Sequence, residues 1–258
     1  MHLFNASSMF NEEGFKEILT VVGNKEELKN RLIGVKKALL ADYHFKAYHV
    51  PVDFTTNSYI IATNHLTDSD APLIISLYYD LMYPHKTEYP VLFVFAKENC
   101  FNGVSIPVGL RPVLELEKIT MVDRTKAGGA MAAIKAAERW FKEGEQPKHF
   151  LIFPQGTIYD INRDLVEDIE RGAFWLAKLL GIPVLPAFLE QAVEGADNRL
   201  VFCEPIHIPK DCRDLDVYKK LWLDRVIAAQ NELEVLTGIP AREVILDEEH
   251  QTRKRFKG

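Results

Sequence analysis

Short apolar runs alternate with longer amphipathic stretches along most of this chain. "SYIIAT" precedes a helical pattern through "APLIISLYYDLMY", and "VLFVFA" precedes a short segment with a polar start. "KITMV" leads into residues 126–143, where Ala127, Ala130, Met131, Ile134, Ala137, Trp140 and Phe141 recur at helical spacing. "HFLIF" leads into "EDIERGAFWLAKLL", after which come "IPVLPAFL" and "RLVFCE". A last helix is expected over about 214–236, with Tyr218, Leu221, Trp222, Val226 and Leu233 on its buried side. Residues 12–46 read as one or two helices. Phe15, Ile18, Leu19 and Val22 form one stripe, and Leu28, Leu32, Val35 and Leu39 form another beyond Gly23-Asn24.

Strands alternating with helices predict an α/β fold, a central and mostly parallel sheet flanked by helices, here with an N-terminal helical pair. The division expected is 1–47 for the helical segment, 48–240 for the α/β domain and 241–258 for a charged tail. In such sheets the loops leaving the C-terminal strand ends form the binding crevice. Three polar motifs follow three of the predicted strands: "TNHLTDSD", "DRTKAGG" and "PQGT".

The first motif places His65 five positions before Asp70. Five helical residues rotate a side chain by about 140°, so the two would diverge if both were helical. They meet if His65 lies in the loop and Asp70 in the first turn of the helix. Ser69 as N-cap and Pro72 near the helix start favour that arrangement. A carboxylate on one imidazole nitrogen fixes the tautomer and leaves the other free to take a proton. The plainer alternative is that Asp70 caps the helix and His65 is a surface loop residue.

The neighbouring motifs add chemistry. "FPQGT", covering Phe153, Pro154, Gln155, Gly156 and Thr157, ends a strand with a turn suited to an anion or oxyanion. Its alternative is a simple Pro-x-Gly turn. Arg124 stands beyond a strand and before a helix, a place for bidentate phosphate recognition, or for a surface ion pair with Asp123 or another acid.

Bulk properties narrow the field. The 258 residues are 47% hydrophobic and carry 37 acidic against 31 basic side chains, a formal net charge of -6. That balance argues against nucleic acid as the main partner. Cys100, Cys203 and Cys212 include no C-x-x-C pair, so neither a disulfide framework nor a metal site is expected and a reducing compartment fits. No signal peptide is apparent, and no window approaches the roughly 20 apolar residues of a membrane span. A cytoplasmic protein is expected, with peripheral membrane contact left open for the N-terminal stripes. Acids such as Glu12, Glu13, Glu26, Glu27 and Asp42 weaken attraction to anionic lipid.

Taken in order over about residues 55–190, these blocks resemble the glycerolipid acyltransferase superfamily typified by 1-acylglycerol-3-phosphate acyltransferases. "NHLTDSD" is similar to the family's NHx4D block, "VFAKE" to the segment carrying a lysine, here Lys97, and "KITMVDR" to the arginine block. "FPQGT" is similar to FPEGT, and "GIPVLP" to the last apolar block. The chain departs from the family with Gln155 for glutamate, Ile158-Tyr159 for Arg-Ser, Lys118 for glycine and Met121 for phenylalanine. All of these fall in blocks that bind the acceptor, whereas the histidine block is intact.

The resemblance implies transfer of a fatty acyl group from acyl-CoA or acyl-carrier protein to a hydroxyl of glycerol-3-phosphate or a lysophosphatidate-like acceptor, without a cofactor. It implies His65 as base, Asp70 as its partner, and Asn64, Lys97, Arg124 and residues 153–157 around the substrates. The altered acceptor blocks keep other readings open. These are an unphosphorylated alcohol or amine acceptor, thioester hydrolysis, and a non-catalytic lipid- or thioester-binding protein.

Overall fold

The computed structural model describes residues 45–65, 91–96, 118–122, 127–144, 147–156, 161–164, 166–190 and 198–238. They contain a seven-stranded sheet in the order β1-β7-β6-β2-β5-β3-β4. The strands are β1 (Phe45–Tyr48), β2 (Tyr59–Thr63), β3 (Val91–Ala96), β4 (Lys118–Val122), β5 (His149–Ile152), β6 (Val184–Glu190) and β7 (Asn198–Phe202). From β6 across to β4 every pairing is parallel. All five of those strands therefore end on one edge of the sheet. The β6–β7 pair is antiparallel and β1 runs parallel to β7, so these two end on the opposite edge.

Every residue of β2 and of β6 is buried, as their uninterrupted apolar runs require of strands covered on both faces. Pro186 sits inside β6, where a missing N–H would normally break a ladder. Its carbonyl accepts from the Cys203 N–H, just beyond the end of β7. From the Ala187–Phe202 pair to the Val184–Ile206 bridge, β6 advances three residues and its partner four. The proline thus lies at a bulge, where regular pairing has already lapsed.

Three helices are described: α1 (Gly129–Lys142), α2 (Gly172–Leu180) and α3 (Asp216–Thr237). Ala137 and Trp140 of α1, Phe174 and Leu176 of α2, and Trp222 and Val226 of α3 share one core with Ile60, Ala62, Val184 and Phe188 of the sheet. Trp222 is fully buried, and its indole N–H donates to the Ala62 carbonyl at 3.0 Å. Helix α3 thereby grips β2 near its C-terminal end.

The α/β architecture with a mostly parallel sheet is as the sequence implied; the antiparallel β6–β7 pair and the strand β1 are additions. β1 crosses the boundary drawn at residue 47, because Phe45–Tyr48 pairs with β7 within the main sheet. The stripe predicted over 126–143 is buried only in part: Ala127, Ala130 and Met131 are exposed, and Ala133 takes their place inward. The helix expected from residue 167 begins at Gly172, after a 3₁₀ turn at Val166–Asp168. The expected N-terminal helical pair, the helix after Asp70 and the charged tail lie outside the described residues.

Candidate active site

The motif edge is built from the end of β2 outward. Beyond Thr63 the backbone leaves the sheet, yet Asn64 remains fully buried. Its side-chain amide donates from Nδ2 to the Leu189 carbonyl at 2.9 Å and accepts at Oδ1 from the Leu189 N–H at 2.6 Å. An amide has the same donor and acceptor as a peptide unit, so Asn64 adds one side-chain rung to the β2–β6 ladder. The sequence implied a substrate role for Asn64; its two hydrogen bonds here both go to the backbone of β6.

His65 follows at partial exposure, held through its backbone and its ring. Its N–H donates to Gln155 Oε1 at 2.5 Å. Its imidazole stacks on the Phe153 ring, with centroids 4.4 Å apart and planes inclined by 20°. Both partners come from the turn after β5, which pairs directly with β2. Phe153, expected among the substrate contacts, is nearly buried and forms the floor beneath the histidine.

That turn is itself closed by hydrogen bonds. The Gly156 N–H donates to the Phe153 carbonyl at 3.0 Å, and the Glu170 N–H donates to the Pro154 carbonyl at 2.7 Å. Gly156 adopts φ +66°, the left-handed region that glycine enters at little cost. Backbone N–H groups near Gly156 were expected to help cradle an anion or oxyanion; the Gly156 N–H itself is engaged within the turn. Gln155 is fully buried, and its Nε2 donates to Asp164 Oδ2 at 2.6 Å. Asp164 belongs to none of the motifs. Nothing in its local spacing marked it, because the contact depends on how the chain returns after the 3₁₀ turn at Ile161–Arg163.

Asn64, His65, Phe153, Pro154, Gln155 and Gly156 are therefore brought together on one edge. Asp70, Lys97, Arg124 and Thr157 lie outside the described residues. The strands that lead to Lys97 and Arg124, β3 and β4, end on the same edge as β2 and β5.

Two other reactive side chains, His149 and Cys203, lie away from the motif edge in surroundings that weaken them as base or nucleophile. His149 begins β5 at the opposite edge, packed against Phe54 at 4.6 Å, with Nε2 bonded to the Asn57 carbonyl at 3.0 Å. Burial pulls its pKa down to about 4, so it stays neutral at physiological pH. The Cys203 thiol is pushed up to about 12 by burial, which suppresses the thiolate a nucleophile needs. A cleft of about 970 Å³ also opens on that far edge, lined by Tyr59, Pro183, Cys203, Arg225 and Glu232 among others. None of the described residues of the three polar motifs lines it, so its size carries no weight against the geometry around His65. Among the described residues no group of His, Cys, Asp or Glu gathers as a metal site, and no helix is long and apolar enough to cross a membrane.

A family model described as Acyltransferase matches residues 41–190, more than half of the chain. The protein belongs to the acyltransferase family. Among solved structures it is similar to the 1-acyl-sn-glycerophosphate (LPA) acyltransferase PlsC from Thermotoga maritima. The two share 16% identity with a TM-score of 0.57, over 93% of this chain and 94% of that one, a likeness of fold. No curated protein shows a significant match to the sequence.

Proposed function

We propose that this protein transfers a fatty acyl group from a thioester, acyl-CoA or acyl-carrier protein, to the hydroxyl of a lysophosphatidate-like acceptor, with His65 as general base. The observation that carries this reading is the placement of His65. Its backbone is tied to Gln155 and its ring rests on Phe153, at the sheet edge where β2, β3, β4 and β5 end. The imidazole takes the hydroxyl proton as the acceptor oxygen attacks the thioester carbonyl. Collapse of the tetrahedral intermediate breaks the C–S bond, and the departing thiolate takes that proton back from the imidazolium. The face of Phe153 favours the charged ring while it exists. Asp70 orients the histidine, and Arg124 with Lys97 holds the acceptor phosphate.

The test is a screen of acyl donors against an acceptor panel, reading free thiol and product mass together. Acceptor-dependent thiol release is expected, and His65→Ala should lower kcat by roughly 10²–10⁴-fold. A folded His65→Ala protein with full transfer activity would sink the mechanism. Ile158-Tyr159, standing where the family has Arg-Ser, supports a second reading with an unphosphorylated alcohol or amine acceptor. Under that reading Arg124→Ala leaves acceptor KM unchanged. The enzyme works in solution or at a membrane surface, and liposome flotation separates these cases.

A further inference from the structure

We propose that Asp164 is a positioning residue for the reaction, acting through Gln155 on the backbone of His65. The proposal rests on the reading of His65 as base for its kinetic consequence, but not for the hydrogen-bond chain itself.

The chain has a direction imposed by chemistry. The His65 N–H can only donate, so it requires an acceptor, which is Gln155 Oε1 at 2.5 Å. With that oxygen fixed, the other end of the amide must be Nε2, and it donates to Asp164 Oδ2 at 2.6 Å. The Asp164 carboxylate supplies the acceptor oxygen that this end needs. Gln155 is 0% exposed and Asp164 7% exposed, so a mismatch at either end would cost a buried polar group one of its hydrogen bonds. Position 155 therefore calls for a side chain that accepts at one end and donates at the other.

This accounts for the glutamine in "FPQGT", the point at which that stretch departs from the FPEGT block it resembles. A glutamate here would still accept from the His65 N–H. Its second oxygen would then face Asp164 across a hydrogen-bond distance, and two carboxylates that close hold one proton between them. The glutamine is matched to the aspartate nine residues later in the chain. The mechanical consequence follows from geometry. Asn64 anchors the strand end to β6, Phe153 supports the ring, and the Asp164–Gln155 chain sets the peptide that joins them. Losing the chain lets His65 shift relative to a bound acceptor without removing any group that touches it.

The experiment uses four full-length variants: Asp164→Ala, Asp164→Asn, Gln155→Glu, and the double variant Gln155→Glu/Asp164→Asn. Asp164→Asn keeps an acceptor for Gln155 and should behave like the parent. Asp164→Ala should lower kcat by between about ten- and a hundredfold while acceptor KM stays within twofold, the signature of displaced geometry. Gln155→Glu should lose stability as pH rises from about 5 to about 9, since the folded pair retains a proton that the unfolded chain releases. The double variant reverses the polarity of one bond: the amide introduced by Asp164→Asn donates to the carboxylate introduced by Gln155→Glu. It should restore both kcat and the parental pH response. A double variant no better than Gln155→Glu alone overturns the proposal, as does Asp164→Ala with parental kcat. Should Asp164→Ala fail to fold, the comparison of Gln155→Glu with the double variant still decides. Full activity in His65→Ala would refute the base, whereas the pH-dependent rescue by the double variant depends on the chain alone and decides it separately.

Discussion

Replacing Asn64 by alanine isolates the device that ends β2. The side chain makes two hydrogen bonds to one buried residue, Leu189, and alanine removes both while leaving the Leu189 N–H and carbonyl in place. A buried group stripped of its partner costs about 1–3 kcal/mol, so two such groups predict a loss of about 2–6 kcal/mol. That is a large share of the roughly 5–15 kcal/mol that holds a domain folded. Asn64→Asp should be comparably damaging, because a carboxylate accepts from the Leu189 N–H but has no hydrogen to offer the carbonyl. Urea unfolding provides the assay: the midpoint should fall with little change in slope. Transfer activity measured under conditions where the variant is fully folded should also drop, since the peptide leading to His65 loses its tie to β6. A midpoint change equivalent to less than about 0.5 kcal/mol, the range of an ordinary surface substitution, would refute the reasoning.

Further outcomes follow from residues away from the reaction edge. His149 is held near 4 in the fold by burial, below its unfolded value of about 6.5, so the unfolded chain binds the proton first as pH falls. Its contribution to stability is complete above about pH 6.5 and is lost towards pH 4, by up to about 3 kcal/mol. His149→Gln, which keeps a donor for Asn57, should remove that part of the acid sensitivity in unfolding curves taken across this window; an unchanged slope would contradict it. Gly181 ends α2 at φ +71°, and an added Cβ would meet only Lys210 Cε at 3.8 Å. Gly181→Ala should therefore cost about 1 kcal/mol of backbone strain, lowering Tm by about 2–4 °C. Its kcat should stay at the parental value; a fall in kcat would mean that this far edge is coupled to the site.

The pattern of apolar runs and helical stripes carried the fold class, because burial on both faces of a strand leaves a continuous apolar run in the chain itself. "SYIIAT" and "IPVLPAFL" were readable as strands for this reason, and the motifs that follow strands were assignable to one edge. The order of the strands was not readable, and the site depends on it. Only the adjacency of β2 and β5 sets Phe153 under His65 and Gln155 against its N–H, across 90 residues of sequence. The same holds for the 125 residues between Asn64 and Leu189 and the 160 between Ala62 and Trp222. Periodicity records which way a side chain faces within its own element; it holds no trace of a hydrogen bond closed between distant segments. The motif therefore named the histidine, and the folded sheet decided what holds it.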